Sequence, residues 1–180
     1  MTACSRTAAF VGRCAWRAGM RGLAIALVAT GCAGSASRTE VRSHGMSFRV
    51  GDAPEAWRTI EVSDALKSFR NDVDGATIAV NGRCGKDGDD VPLVALTRQL
   101  FIYFTDREEQ SQESVVVDGR EALKTVMHAK LDGVKKGFVV YVLKKDGCVY
   151  DFMYISPPES LGAGAAGFDR FVAGFRTMGH

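Results

Sequence analysis

The amino-acid sequence predicts an α+β fold, in which a mainly antiparallel sheet of about seven strands is covered by two helices. Short runs that alternate apolar and polar residues recur between residues 47 and 155, and such alternation indicates half-buried strands. Most links between these runs are too short for the crossover that parallel strands require. Two further stretches have apolar residues at helical spacing, and their apolar stripes would cover the faces of the sheet.

The composition is that of a globular protein. Hydrophobic residues make up 46% of the 180 residues and charged residues 24%, which excludes disorder over most of the chain. The formal net charge of +2 arises from residues 1–31, which contain four arginines and no acidic residue. Without those four, the 23 basic residues become 19 against 21 acidic ones, so the rest of the chain has no electrostatic footprint for nucleic acid.

Residues 1–31 follow the order of a secretory signal peptide, with basic, then apolar, then small residues. The apolar run at residues 23–29 is much shorter than the ~20 residues that span a bilayer, so a permanent span is excluded. The segment Ala29-Thr30-Gly31-Cys32 resembles the lipobox of bacterial lipoproteins, in which small residues precede an obligatory cysteine. The resemblance implies that Cys32 receives diacylglycerol and becomes the first mature residue, whether translation starts at Met1 or at Met20.

This lipidation would attach the protein to a membrane, because a diacylglycerol with an amide-linked acyl chain exceeds the two-signal minimum for stable anchoring. Ala33 follows the cysteine, where aspartate in such lipoproteins often signals inner-membrane retention, so the resemblance favours a periplasm-facing location at the outer membrane. An ordinary cleaved signal with a chance cysteine and a cytoplasmic amphipathic leader are the alternatives. Residues 32–45 are predicted to be a flexible tether to a domain at residues 46–178.

Two cysteines of the five remain once the leader and the lipidated position are set aside, namely Cys84 and Cys148. An even pair in an oxidising compartment predicts a disulfide between them. The alternative is two buried thiols that pack as small hydrophobic groups. No metal site is expected, because two thiols lack the second pair that structural zinc requires and neither has a histidine near it in sequence.

The first half of the domain is predicted to contain four strands, at residues 47–50, 57–62, 66–70 and 76–81. A loop follows at residues 82–90. The best helix covers residues 91–104, where apolar side chains recur on one stripe: Leu93, Leu96, Leu100 and Phe104. Asp89 or Asp90 is predicted to cap this helix, and Pro92 is expected in its first turn.

The second half is predicted to be a series of antiparallel strands, at residues 114–117, 121–131, 138–143 and 148–155. Asp118-Gly119 and Asp146-Gly147 are turn pairs, and residues 132–137 are expected to turn the chain. An acidic stretch after the first helix is predicted to be a solvated link; it contains Glu108, Glu109 and Glu113. A short C-terminal helix is marked by four apolar residues: Phe168, Phe171, Val172 and Phe175.

Tyr150, Phe152 and Tyr154 share one face of the last predicted strand. If the C-terminal helix covers that face, they belong to the core. If it does not, they form an exposed aromatic surface for a partner or ligand.

The order of these elements resembles the PsbP-like superfamily, whose members include many small bacterial lipoproteins. The resemblance spans about residues 47–176 and rests on six segments: Phe48-Arg49-Val50 with Trp57 soon after, residues 76–80, the middle helix, residues 117–122, the hairpin at Asp146-Gly147 and residues 168–175. It implies a PsbP-like sandwich and a non-catalytic binding or assembly role. The superfamily has no shared catalytic motif, so no active-site residue can be transferred from it.

The sequence contains no recognisable catalytic constellation. His128, the one histidine within the predicted fold, shares a strand face with Lys124 and Lys130, which is typical of an exposed strand residue. There is no Gly-x-Ser-x-Gly, and the loop at residues 82–90 lacks the Gly-Lys-Ser/Thr ending of a phosphate loop.

We therefore expect no cofactor and no enzyme activity. The sequence favours a lipid-anchored envelope protein that binds another envelope component or helps to assemble it, and the charge of the domain predicts no nucleic-acid partner. One alternative is a carrier with a cavity between helix and sheet for a small apolar ligand, lined by such residues as Phe101, Met127 and Met153. Another is an enzyme with an unrecognised site, which convergent acids or His128 in a cleft would support.

Overall fold

The structure, a computed structural model, describes residues 39–54, 56–85 and 90–178. These residues contain ten strands, listed in chain order: β1 Glu40–Ser43, β2 Met46–Arg49, β3 Arg58–Ile60, β4 Lys67–Arg70, β5 Thr77–Cys84, β6 Thr105–Val117, β7 Arg120–Leu131, β8 Val134–Lys145, β9 Cys148–Ser156 and β10 Arg176–Thr177. Two α-helices accompany them, α1 Leu93–Leu100 and α2 Leu161–Ala173, and a 3₁₀ turn at Pro158–Ser160 precedes α2. None of the described helices is long and apolar enough to cross a bilayer.

Seven strands form one antiparallel sheet in the order β3-β4-β5-β9-β8-β7-β6. This sheet and its two helices confirm the predicted α+β class. The three remaining strands form a small second sheet in the order β1-β2-β10. Local sequence patterns do not predict this second sheet, because β10 has only two residues and pairs with a strand from the other end of the domain.

Four two-residue turns set the register of the hairpins: His44-Gly45, Asp118-Gly119, Asp132-Gly133 and Asp146-Gly147. Both residues of each turn have positive φ, between 48° and 78°, as type I′ turns require. The predicted turns at Asp118-Gly119 and Asp146-Gly147 are confirmed. The turn predicted over residues 132–137 is shorter, because β8 already begins at Val134.

The ordered domain extends further towards the N-terminus than the predicted boundary at residue 46. Residues 40–43 form β1, so the C-terminal part of the predicted 32–45 tether is a strand. Val41 is buried and lies opposite Phe48 in the β1–β2 register. A single buried residue within four is too weak a pattern to distinguish a strand from a polar tether.

The helix α1 is shorter than the 91–104 prediction. Pro92 occupies its N-cap position without a side-chain cap, so the predicted cap by Asp90 is wrong, and Asp89 lies outside the described residues. Beyond the helix, the ring centroids of Phe101 and Phe104 lie 5.4 and 5.1 Å from that of Phe138. Both rings therefore pack on the same sheet residue although they lie beyond the end of the helix.

The two faces of the large sheet carry separate hydrophobic layers, as the period of two along each strand requires. One layer packs the sheet against α2 and the small sheet, and it includes Phe48, Phe168, Phe171 and Phe175. The other packs it against α1 and includes Leu96, Phe101, Phe138 and Val140. Both faces are therefore covered over most of the sheet.

The strand β6 is much longer than predicted. It begins at Thr105 rather than at Ser114, so the acidic stretch that was expected to be a solvated link is part of the sheet. Ten of its thirteen residues are exposed, and this exposure hides the period of two that normally identifies a strand.

Candidate functional site

The aromatic residues of β9, for which the core and an exposed partner or ligand surface were the alternatives, are core residues. Tyr150, Phe152 and Tyr154 are each at most 2% exposed. The ring of Phe175 lies 5.0 Å from that of Tyr150 and 5.2 Å from that of Phe152, and Phe168 lies 5.7 Å from Tyr154. The surface interpretation is wrong, because the C-terminal helix and the residues after it cover this face of β9.

The predicted disulfide is present. Cys84 and Cys148 face each other across β5 and β9, at the last pair of that register, with a sequence separation of 64. The alternative of two independent thiols is therefore excluded. Of the loop predicted at residues 82–90, residues 86–89 lie outside the described part of the chain.

The residues that were proposed to line a ligand cavity pack against one another instead. Phe101 is 1% exposed, and its ring contacts that of Phe138. Met127 and Met153 belong to the same hydrophobic layer. Among the described residues, the carrier interpretation therefore has no support from the space between α1 and the sheet.

Cys32, the predicted lipidation site, lies outside the described residues. So do the signal peptide and most of the predicted tether. These predictions therefore stay predictions.

The outermost strand of the large sheet offers the longest exposed element of the domain. β6 pairs with β7 on one side, and in the described residues no strand pairs with its other side. Its register with β7 shifts twice, between Thr105 and Glu108 and between Glu109 and Ser111. Such bulges are common beside functional sites, because they change the direction of neighbouring side chains.

The bulged part of β6 forms one wall of a groove of about 240 Å³ that we call the β6 groove. It is lined by Asp106, Glu108, His128, Ala129, Lys130, Lys135 and Pro158. Asp106 has a φ of +49°, which is uncommon for a non-glycine residue within a strand. Acidic residues from β6 thus face basic residues from β7 and β8 across this groove.

One ion pair dominates the electrostatics of the β6 groove. Lys130 Nζ lies 2.6 Å from Asp106 Oδ2. This hydrogen bond and the charge of Lys130, with a smaller contribution from Lys135, lower the pKa of the Asp106 carboxyl. Asp106 is therefore held as the carboxylate at neutral pH.

His128 lies directly opposite Glu108 in the β6–β7 register, so the predicted strand position of this histidine is confirmed. It is half-buried and lines the groove rather than standing alone on a polar face. Imidazole and carboxylate groups side by side can bind polar ligands or exchange protons. No hydroxyl or thiol is among the residues that line this groove, so it offers no serine, threonine or cysteine nucleophile.

A larger depression of about 630 Å³ lies between β1 and the chain that precedes β4. Its lining is mainly polar or charged and includes Glu40, Arg42, His44, Asp64 and Lys67. The depression is also lined by Val41 and Leu66 of the layer that packs against the small sheet, but its charged side chains outnumber them. It therefore suits polar contacts better than the binding of an apolar ligand.

A buried acid lies in β9, three residues after Cys148. Asp151 is 3% exposed in β9, and burial raises the pKa of its carboxyl. A hydrogen bond from Asn81 and the charge of Arg83, whose Nη1 lies 3.6 Å away, act in the opposite direction. Both partners come from β5, so this group contributes to the pairing of β5 and β9 and has no open surface of its own.

Local sequence patterns missed the β6 groove because its residues come from three strands and a turn. The available signals were the Asp and Glu residues at positions 106–113 and the lysines at positions 130 and 135. Neither group indicates a site by itself, since charged runs are common on solvated faces.

Comparison with solved structures defines the class of fold. The chain is similar to cyanobacterial PsbP (CyanoP) from Synechocystis, with 14% identity and a TM-score of 0.55, over 82% of this chain and 97% of that one. It is also similar to LpqN, described as involved in cell envelope biogenesis of Mycobacterium tuberculosis, with 12% identity and a TM-score of 0.56, over 78% of this chain and 90% of LpqN. The protein thus has the PsbP-like fold that its order of elements predicts.

A third similar structure comes from Bacteroides thetaiotaomicron, with 12% identity and a TM-score of 0.52, over 74% of this chain and 46% of that one. No protein-family model matches the sequence. No curated protein matches it either. At these identities the similarities define the fold and leave the function to be argued from the molecule itself.

Proposed function

We propose that this protein is a lipid-anchored, periplasm-facing module of the cell envelope that binds another envelope component or helps to assemble it, without catalysis. The observation that carries this proposal is the packing of the domain. Side chains fill both faces of the large sheet, while the long strand β6 leaves an edge and a charged groove in contact with solvent. Recognition therefore takes place at the surface.

The proposed location is supported by covalent chemistry. The Cys84–Cys148 disulfide is of a kind that persists in oxidising compartments and is rare in the cytosol. LpqN, which shares the fold, is described as a protein of envelope biogenesis. The lipobox-like residues 29–32 supply the anchor at Cys32, and Ala33 favours the outer membrane.

The proposed partner is an envelope protein and not nucleic acid. The chain after residue 31 has 21 acidic residues and only 19 of the 23 basic ones, since four arginines lie before it. An acidic domain repels the phosphate backbone of nucleic acid. His128 beside Asp106 and Glu108 in the β6 groove is the arrangement that supports the enzyme alternative. The groove contains no hydroxyl or thiol nucleophile, and we propose binding as its role.

The test is recovery of crosslinked partners from native membranes, with identification of proteins and small molecules by mass spectrometry. Wild-type protein is compared with Cys32→Ser, and Cys14→Ser is the matched control because this cysteine lies within the predicted leader. We expect a stoichiometric envelope protein with the wild type and with Cys14→Ser, and its loss with Cys32→Ser.

Two outcomes would contradict parts of this proposal. If Cys32→Ser still fractionates fully with membranes, the lipid anchor is wrong. If no protein is recovered but one lipid or metabolite is found reproducibly, the protein is a carrier rather than an assembly or binding module.

A further inference from the structure

We propose that the outer edge of β6 binds an extended, basic segment of a partner protein as an additional strand of the sheet. This inference rests on the proposed function and deepens it, because it states where the partner binds and what chemistry that partner has. Four features of β6 carry it: its open edge, its regular C-terminal half, its charge and its length.

The open edge supplies the binding groups. β6 is the last strand of the seven-stranded sheet, and in the described residues only β7 pairs with it. On an edge strand, alternate backbone N–H and C=O groups point away from the sheet without a strand partner. An extended peptide can satisfy these groups through a new ladder of hydrogen bonds, while its side chains provide specificity.

The two halves of β6 differ in their suitability for pairing. Both register shifts lie before Ser111, and bulges with charged side chains are devices that hinder indiscriminate pairing at an edge. From Ser111 to Val117 the register with β7 is regular. This half ends in three valines, of which Val116 is 78% exposed, so it offers a straight edge with apolar contact.

The charge of β6 selects a basic occupant. The strand contains one basic residue, Arg107, and four acidic ones: Asp106, Glu108, Glu109 and Glu113. The Nη1 group of Arg107 donates a hydrogen bond to the carbonyl oxygen of Phe101, at 3.3 Å. Within the described part of the chain, neither Glu108 nor Glu109 forms an ion pair.

Glu113 adds a further acidic contact within the regular half. Its carboxylate is 3.6 Å from Lys124 Nζ, but its side chain stays 60% exposed and can meet a second cation.

A second copy of this chain would bring the same acidic strand against itself. Like charges opposite one another destabilise strand pairs, whereas opposite charges stabilise them.

The other edge of the sheet provides an internal comparison. β3 has only three residues, from Arg58 to Ile60, and is too short to hold a strand of useful length. Binding is therefore expected at β6 and not at β3.

The experiment uses the full-length protein in detergent and two fluorescent peptides of eight residues, one of alternating valine and lysine and one of alternating valine and glutamate. Affinities are measured by anisotropy, and hydrogen exchange locates the protected amides. We expect the lysine peptide to bind and to protect amides of β6. The double variant Glu109→Lys/Glu113→Lys should bind the lysine peptide about tenfold more weakly than the wild type does. The same variant should bind the glutamate peptide more tightly than the lysine peptide.

Two controls and one replacement variant make the result specific to β6. Glu61→Lys, an exposed residue that follows β3, should leave both affinities unchanged. A lysine peptide that is N-methylated at every residue should not bind, because neither of its edges has backbone donors. If the double lysine variant unfolds by circular dichroism, Glu109→Gln/Glu113→Gln replaces it, with a smaller loss of affinity expected.

The inference is overturned if the lysine peptide does not bind, if both peptides bind equally, or if protection falls outside β6. It is also overturned if sedimentation shows that the protein dimerises through β6, since the occupant is then a second copy. None of these results affects the membrane recovery experiment, so the proposed function would stand or fall separately.

Discussion

The backbones of Gly51 and Gly174 lie in direct contact, and neither position has room for a side chain. A Cβ atom at Gly174 would lie 2.7 Å from the nitrogen of Gly51, and one at Gly51 would lie 2.7 Å from the carbonyl oxygen of Phe171. The amide of Gly51 donates a hydrogen bond to that same oxygen, at 2.9 Å. This contact joins the chain after β2 to the end of α2 and so fixes the helix against the small sheet.

We predict that Gly174→Ala lowers the free energy of unfolding by about 1–3 kcal/mol, the usual cost of forcing extra volume into a packed site. The added Cβ would meet backbone atoms of Gly51, which cannot move away by a change of rotamer. Gly167→Ala is the matched control, because its Cβ would make only ordinary contacts, the nearest at 3.7 Å from Pro54. Equal stability of the two variants in urea unfolding would show that the contact is not close-packed.

A second prediction concerns Gly164, which lies under the phenol of Tyr154. A Cβ at Gly164 would lie 2.5 Å from Cζ of that ring and nearer still to its hydroxyl oxygen. Alanine normally stabilises a helix interior relative to glycine by about 0.5–1 kcal/mol. We nevertheless expect Gly164→Ala to destabilise the protein, because the ring is fully buried and has no free space.

Thermal unfolding checks this second prediction against Gly162→Ala, whose Cβ would meet no atom within 4 Å. That control should be neutral or stabilising. Tyr154→Phe removes the hydroxyl and should rescue part of the loss in a double-mutant cycle. Additive effects of the two substitutions would disprove the direct contact.

The third prediction concerns the disulfide. A bond that closes a loop of 64 residues contributes about 4 kcal/mol in the chain-entropy description. Replacing both Cys84 and Cys148 with serine should therefore lower stability by about 2–5 kcal/mol. Urea unfolding with and without reductant measures this loss in the free energy of unfolding. Reductant should no longer change the stability of the double variant. Alkylation of these thiols in the unreduced wild type would show that the bond does not form.

The fourth prediction is a pH dependence centred on Asp118, in the β6–β7 turn. Its side chain is 15% exposed, and Lys145 Nζ lies 2.9 Å from it. The backbone N–H of Thr177 in β10 donates to the same carboxylate, at 2.9 Å. Burial acts to raise the pKa of Asp118, but these two hydrogen bonds and the charges of Lys145 and Arg176 outweigh it and leave the pKa lowered.

A carboxyl group whose pKa is lower in the folded chain stabilises that chain fully above its ordinary pKa of about 3.9 and loses the effect as pH falls through the folded value. Asp118→Asn should therefore cost about 1–3 kcal/mol at pH 7, as expected for a charged hydrogen-bonded group, and this cost should shrink as pH falls below about 3.9.

Asp132→Asn is the matched control for this substitution, since Asp132 holds the same positive-φ position in the β7–β8 turn. Asparagine tolerates that backbone conformation, so the turn itself is preserved in both variants. Urea unfolding between pH 2 and pH 7 gives the comparison. A constant difference between Asp118→Asn and wild type across that range would contradict the role of the charge.

Sequence patterns predict most of the large sheet correctly. The strands from β7 to β9 alternate or run apolar, and Asp-Gly pairs mark two of the turns between them. α2 is equally evident, because Phe168, Phe171 and Val172 recur at helical spacing and all three are buried. These elements are recognised because local spacing and burial agree.

The candidate site is where sequence patterns fail. β6 has no apolar alternation over most of its length, since it lies at an edge and solvent reaches both faces. The β6 groove joins residues as distant as Asp106 and Pro158. Such proximity depends on strand order, which local sequence does not encode.

The sequence by itself determined the fold class and most strands, and it predicted the pairing of Cys84 with Cys148, which the structure contains. These follow from local periodicity, turn residues and the number of cysteines. The lipid anchor at Cys32 stays a prediction. Only the tertiary structure decided that Tyr150, Phe152 and Tyr154 are core and that β6 is the open edge. The physical reason is that burial depends on what packs against a face, and residues far away in the chain supply that neighbour.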